Sequence, residues 1–106
     1  MRDIVSEDRL EAALLFLADS DDAYAEAKAH AERTEILRKR ARARVFLTVD
    51  GSIAERNAQA ETSGDVLEAD DCYIAAVTAY EKLRARRGRA ELIVDVWRTL
   101  SANQRK

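Results

Sequence analysis

Residues 38–44 read RKRARAR, a basic run inside a long stretch of good helix formers, and residues 68–71 read EADD. The basic run at 38–44 is thus followed by an acidic run at 68–71 that could pair with it. A second pair of blocks has the opposite order of signs, with an acidic run at 19–26 and a basic run at 84–89. Facing residues of two antiparallel helices have numbers with a constant sum, and positions 26 and 86 and positions 42 and 70 share the sum of 112. The charges therefore predict that the chain doubles back on itself in one register.

The matched blocks comprise Asp19, Asp21, Asp22 and Glu26 with Arg84, Arg86, Arg87 and Arg89, and the basic run 38–44 with Glu68, Asp70 and Asp71. Glu7 and Asp8 likewise meet Arg105 and Lys106, and positions 7 and 105 have the same sum. Charges of this kind specify partner and orientation along a helical seam. We expect an all-α fold, a long antiparallel two-helix hairpin resembling a coiled coil, in a single domain spanning residues 1–106.

Composition supports a helical chain. The 106 residues include no proline and three glycines, 36% are charged and 47% are apolar, with alanine prominent among the apolar residues. Proline and glycine are the residues that interrupt helices. The formal charge of −2 is too small to direct the protein towards nucleic acid or membrane by its net field. The function is therefore expected to depend on a local surface.

Local signals set the expected helix ends. Ser6 is a good N-cap, and helix 1 is predicted from about 6 to 48. We expect this helix to be continuous through the acidic segment 19–22, because the heptad-like spacing of its apolar residues is the same on both sides of that segment. A turn at Asp50-Gly51 and a capping box at Ser52 and Glu55 predict a short helix at about 53–61. Asp65 is expected to cap a third helix at about 66–102.

Apolar residues crowd the open end of the hairpin. Residues 14–17 read LLFL and residues 92–97 read LIVDVW. Consecutive apolar residues lie on all sides of a helix, whereas one partner helix can bury only one face of it. A homodimer forming a four-helix bundle would cover the excess. The alternative is a monomer whose first residues fold over it. We expect a non-enzymatic protein that binds another protein, and the predicted interface residues are Leu14, Phe16, Ile93 and Trp97.

A nucleic-acid-binding role is the alternative hypothesis. Arginines on a helix can neutralise phosphates, and the candidates here are Arg38, Arg40, Arg42 and Arg44. This basic run faces an acidic block in the predicted hairpin, which lowers its free positive potential.

A metal-dependent enzyme is a remote alternative. The spacings at Glu32 to Glu35 and Glu68 to Asp71 are similar to those by which helical nucleotide pyrophosphatases of the MazG type hold magnesium. In the predicted register the two pairs lie more than about 10 Å apart along the helices, so we expect no metal, no cofactor and no catalytic residue. The lone His30 and lone Cys72 are expected to be a surface histidine and an inert thiol.

The segment 90–103, AELIVDVWRTLSAN, together with an Ala/Glu/Arg-rich first helix and a short capped helix after Gly51, resembles small helical-hairpin accessory proteins of tailed phages and prophages. The resemblance implies a partner in phage DNA metabolism or in the host, and it carries over no catalytic residue. Residues 1–4 lack the pattern of an export signal, and the longest apolar run, 12–18, is shorter than a membrane span. We therefore expect a protein in the cytoplasm of a bacterium or of an infected cell.

Overall fold

The computed structural model describes residues 5–104, which form three α-helices: α1 at Glu7–Thr48, α2 at Ile53–Thr62 and α3 at Gly64–Gln104. No strand occurs between residues 5 and 104. The long helices α1 and α3 pack against each other, so the predicted all-α fold and the pairing of the two long helices are confirmed. Within the same range, no helix has the length and apolar character needed to cross a membrane.

Helix α1 begins and continues as its sequence predicts. The Ser6 hydroxyl oxygen accepts a hydrogen bond from the Arg9 backbone N–H at 3.2 Å, which caps the helix. The acidic segment does not interrupt the helix, because Ser20 is buried while Asp19 and Asp22 are exposed to solvent. The prediction of one continuous helix through residues 19–22 is therefore confirmed.

The connection between the long helices depends on Gly51 and Ser52. Gly51 has a φ of 122°, a conformation that L side chains rarely adopt. The Ser52 hydroxyl oxygen then accepts from the Glu55 backbone N–H at 3.2 Å, so the capping role predicted for Ser52 is confirmed.

The predicted cap of α3 at Asp65 is wrong. Helix α3 already begins at Gly64, directly after Ser63, and the Leu67 backbone N–H donates to the Ser63 carbonyl at 3.0 Å. Asp65 instead lies in the first turn, where its negative charge interacts favourably with the helix dipole.

The chain divides into two units, each built from helices packed on each other. The terminal unit comprises residues 5–25 and 81–104 of the described chain, and the turn unit comprises residues 26–80. In the terminal unit Ala13, Ala90 and Val94 form a buried cluster. Leu10, Phe16, Leu17 and Ile93 pack against this cluster.

The core of the turn unit consists of small side chains. Val66 and Ala60 are each 0% exposed, and Ala31, Ala41 and Ala76 are also buried. Thr34 is buried too, and its hydroxyl donates to the carbonyls of its own helix at His30 and Ala31. These small residues allow α1 and α3 to approach closely but bury little apolar area.

One ion pair in each unit joins two of the predicted charge blocks, but the predicted register is wrong. Asp21 pairs with Arg87 at 2.7 Å in the terminal unit, and Arg38 pairs with Asp70 at 3.8 Å in the turn unit. Each pair has a sum of 108, which differs from the expected 112 by four residues, about one helical turn. Arg42, expected opposite residue 70, pairs instead with Glu61 of α2 at 3.7 Å.

Buried contacts explain this shift. Exposed ion pairs contribute little free energy, whereas the seam between the helices must fit Ala13 against Val94 and place the side chain of Arg87 beside Ser20. Blocks of several like charges still match after a shift of one turn. The remaining expected match, of Glu7 and Asp8 with Arg105 and Lys106, involves positions outside the described residues.

Candidate protein-binding surface

A groove of about 300 Å³ lies between α1 and α3 in the terminal unit. Its floor is apolar and its charged groups are all guanidinium groups, so we call it the arginine groove. The floor consists of Ala12, Ala13, Phe16, Ala90 and Ile93, and the rim consists of Arg9, Arg86 and Arg89.

Helical spacing builds this groove from both sides. On α1 the groove extends from Arg9 to Phe16, and on α3 it extends from Arg86 to Ile93. Residues three or four apart share a helix face, so each helix contributes one face over two turns. At about 1.5 Å per residue the groove is about 10 Å long.

All charged residues that line the arginine groove are positive. Its lining residues include no carboxylate. Arg86 and Arg89 take part in no ion pair within residues 5–104, whereas the neighbouring Arg84 and Arg87 pair with Glu81 and Asp21. The charges of Arg86 and Arg89 are therefore available to a binding partner.

One rim arginine is held in place by the floor. The guanidinium carbon of Arg86 lies 4.7 Å from the ring centre of Phe16, a cation–π contact. Because the ring holds this guanidinium, the Arg86 side chain has less conformational freedom to lose when a partner binds.

The predicted interface residues do not form one patch. Phe16 and Ile93 meet in the arginine groove. Leu14 is 49% exposed and lies about 200° around α1 from Phe16, and thus away from the groove. Trp97 is half-buried and lines a separate depression with Arg98, Ser101 and Ala102.

Other leucines in the terminal unit remain exposed. Leu15 is 56% exposed on α1, and Leu92 is 61% exposed on α3. Together with Leu14 they form the exposed leucines of this unit, and they leave apolar area that neither helix covers.

The turn unit contains a groove of about 350 Å³ with a different character. Arg44 lines it together with the carboxylates Asp65 and Glu68, so positive and negative charges are mixed there. The exposed Cys72 also lines it. The remaining lining residues are Thr34, Leu37, Ala41 and Ala69.

The four arginines of the nucleic-acid hypothesis fall into two pairs. Arg38 is half-buried, pairs with Asp70 and stacks on Tyr73, with its guanidinium carbon 4.4 Å from the ring centre. Arg42 pairs with Glu61. Arg40 and Arg44, four residues apart on another face, are exposed and form no ion pair within residues 5–104.

The carboxylates of the metal hypothesis have other neighbours. Glu35 pairs with Lys39 on the same helix at 3.3 Å, and Glu68 lines the groove of the turn unit. Across residues 5–104 no group of three or more His, Cys, Asp or Glu side chains is placed to hold a metal ion. His30 is exposed on α1.

Sequence reasoning missed the rim of the arginine groove. The charge pattern predicts Arg86 and Arg89 as partners of the acidic block at 19–26, but the residue of that basic run that pairs with Asp21 is Arg87. The signal that identifies the rim is the spacing, since Arg86, Ala90 and Ile93 share one face of α3. Arg9 shares a face with Ala12 and Phe16 of α1 in the same way.

No protein-family model, no curated protein and no solved structure matches this chain.

Proposed function

We propose that this chain is a non-enzymatic accessory protein that acts by binding another protein through the terminal unit. The observation that carries the proposal is the arginine groove, which joins an apolar floor to a rim of positive charge. Its side chains supply hydrophobic contact and charge, which suit recognition. An origin in tailed phages or prophages is part of the proposal, and it rests on the resemblance of residues 90–103.

Two residue types on this surface, phenylalanine and arginine, are typical of protein interfaces. Aromatic residues and arginine are enriched among the residues that contribute most to binding, and here Phe16 and Arg86 are already in contact. Burying apolar area stabilises a complex by about 25 cal/mol for each Å² removed from water. The half-exposed Leu14, Leu15 and Leu92 provide further apolar area elsewhere on the terminal unit.

Photocrosslinking tests the proposal. A photoreactive phenylalanine analogue replaces Ile93 in the groove, and in a matched control it replaces Thr78, which is exposed on α3 in the turn unit. In cells of the source organism we expect position 93, and not position 78, to crosslink one protein reproducibly. That protein, purified, should bind the chain in calorimetry. Identical products from both positions, or none from position 93, would contradict the proposal.

Self-association is a separate part of the proposal. A second copy of the chain could cover the exposed leucines, as a four-helix bundle would require. Light scattering should give twice the 11.9 kDa of one chain, and Leu15→Glu with Leu92→Glu should give 11.9 kDa. A mass of 11.9 kDa for the unaltered protein at micromolar concentration would exclude the dimer.

Nucleic-acid binding is the second candidate function. It is favoured by Arg40 and Arg44, which are exposed and form no ion pair within residues 5–104. It is disfavoured by Asp65 and Glu68, which share a groove with Arg44. Mobility shifts with short DNA and RNA at low and high salt separate the two functions. Protein binding predicts no shift, whereas nucleic-acid binding predicts a salt-sensitive complex that Arg40→Ala with Arg44→Ala weakens.

A further inference from the structure

We infer that the arginine groove binds an acidic amphipathic α-helix of the partner protein. The partner helix would place apolar side chains at positions i, i+3 or i+4, and i+7 on the floor of the groove and carboxylates beside its rim. This inference rests on the proposed function, and it adds the chemical class of the partner segment.

The dimensions of the groove match such a helix. The groove lies between two helices, and its length of about 10 Å corresponds to two turns of a third helix. Helix-in-groove recognition uses apolar anchors at this spacing. The small Ala12, Ala13 and Ala90 leave room on the floor, while Phe16 and Ile93 provide larger apolar contacts.

The charge of the groove selects the sign of the partner. All three charged residues that line it are arginines, and Arg86 and Arg89 form no ion pair within residues 5–104. A planar guanidinium group can bind a carboxylate through two parallel hydrogen bonds. The stacking of Arg86 on Phe16 holds one guanidinium at the edge of the floor, where the flank of a bound helix would lie.

An acidic helix fits these observations better than a nucleic acid does. A phosphodiester backbone would use the arginines but would leave the apolar floor uncovered. A helix with an apolar stripe and carboxylate flanks covers the floor and neutralises the rim together.

The test uses two short designed helices, each bridged by a hydrocarbon staple and labelled with fluorescein. Both have leucine at i, i+4 and i+7, but one has glutamate flanks and the other has lysine flanks. In fluorescence anisotropy with the full chain we expect the glutamate helix to bind at least about tenfold more tightly. This preference should decrease as salt is added, because rim charges are screened.

Paired charge reversals locate the binding site. Arg86→Glu with Arg89→Glu should abolish or invert the preference for the glutamate helix. The matched control, Arg84→Glu with Arg98→Glu, changes the net charge equally at exposed positions of α3 that do not line the arginine groove, and it should keep the preference. Circular dichroism confirms that both double variants remain helical.

Three results would overturn the inference. The first is equal binding of the two helices, and the second is a preference for the glutamate helix that persists in Arg86→Glu with Arg89→Glu. The third is a different mass of that variant in light scattering, which would show that a second copy of the chain fills the groove. A failure of the peptide test alone leaves protein binding intact, because crosslinking from position 93 detects a partner of any charge. A failure of crosslinking alone would contradict the proposed function while the peptide result stands.

Discussion

Arg87 joins the two long helices of the terminal unit through a set of polar contacts. Its guanidinium donates to the Leu17 carbonyl at 3.0 Å, to the Ser20 hydroxyl at 2.6 Å and to the Asp21 carboxylate at 2.7 Å. It also lies 4.9 Å from the ring centre of Tyr24. Only 14% of the Arg87 side chain is exposed, whereas 65% of the Asp21 side chain is exposed. The bonds to Ser20 and Leu17 therefore contribute more than the ion pair does.

Removing this side chain should destabilise the terminal unit. We expect Arg87→Ala to lower the free energy of unfolding by about 2 kcal/mol, because the buried hydroxyl of Ser20 loses its inter-helix partner. Urea unfolding followed by circular dichroism measures the change. In the control, Arg84→Ala removes a 3.7 Å pair with Glu81 at an exposed position and should cost less than about 0.5 kcal/mol. Equal losses in both variants would show that Arg87 is only a surface charge.

Glycines on the chain have opposite roles. A Cβ added at Gly88 would meet nothing within 4 Å, so the helix gains backbone restriction without a clash. We expect Gly88→Ala to raise the free energy of unfolding by about 1 kcal/mol. The contrasting variant is Gly51→Ala, which should destabilise because φ is +122° and the new Cβ would lie 2.6 Å from Glu55 Oε2. Thermal unfolding of both variants measures the two changes, and a loss of stability in Gly88→Ala would contradict the first.

Helix α2 shows how a short element is held in place. Its ten residues are too few to form a stable helix alone. Ala60 is 0% exposed, and the Arg56 Nε–H donates to the Gly51 carbonyl at 3.1 Å while its guanidinium carbon lies 5.7 Å from the ring centre of Phe46. The Ser52 cap and these contacts together fix α2 in the turn unit.

The cap of α2 should therefore have a local effect. We expect Ser52→Ala to cost about 1 kcal/mol and to speed amide hydrogen exchange in the first turn of α2, because the Glu55 N–H loses its acceptor. Ser52→Asp keeps a capping oxygen and should retain the protection. Unchanged exchange in Ser52→Ala would mean that tertiary contacts alone hold the helix.

The start of a helix could be predicted from the sequence where one capping residue determines it. Ser6 and Ser52 are good capping residues, and each accepts a hydrogen bond from the backbone N–H three residues further on. The start of α3 could not be predicted in this way, because both Ser63 and Asp65 are good capping residues. The choice between them depends on where the backbone leaves α2.

At the scale of the whole molecule, the charge pattern predicts which segments face each other but not the register in which they pair. Both Asp21–Arg87 and Arg38–Asp70 belong to the matched blocks, yet they lie one turn from the predicted register. Long arginine side chains can reach carboxylates over a full turn, so the blocks alone cannot fix the register. Small buried residues such as Ala13 fix it, and nothing in the order of the charges identifies their partners.

Oxidative crosslinking distinguishes the two registers. In a Cys72→Ser background, cysteines at positions 13 and 94 should form an intramolecular disulfide faster than cysteines at positions 13 and 99, because Ala13 and Val94 share one buried cluster. Positions 13 and 99 satisfy the sum of 112, and Thr99 is exposed. Faster closure of the 13 and 99 pair would restore the register predicted from charge.

Part of the candidate site could also be predicted from the sequence. The apolar runs identified Phe16 and Ile93. The interface between two helices cannot bury all the large side chains of these runs, so some of them must lie at the surface. The groove between Phe16 and Ile93 could not be predicted, because it depends on the register. The sequence also predicts Leu14 as an interface residue, because a run of consecutive residues does not show which of its members faces the second helix.

The buried apolar residues of the described chain are few and small: Val5, Ala13, Ala31, Ala41, Ala60, Val66, Ala76, Ala90 and Val94. Apolar exposure is what raises the heat capacity on unfolding, which is about 1.2–1.5 kcal/mol/K for an average domain of about 100 residues. Differential scanning calorimetry of the monomeric variant Leu15→Glu with Leu92→Glu should therefore give a heat-capacity increment below that range, and a value within it would contradict an alanine-based core. A small increment flattens the dependence of stability on temperature. The protein should then lose little stability on cooling, unlike a domain with a core of leucine and phenylalanine.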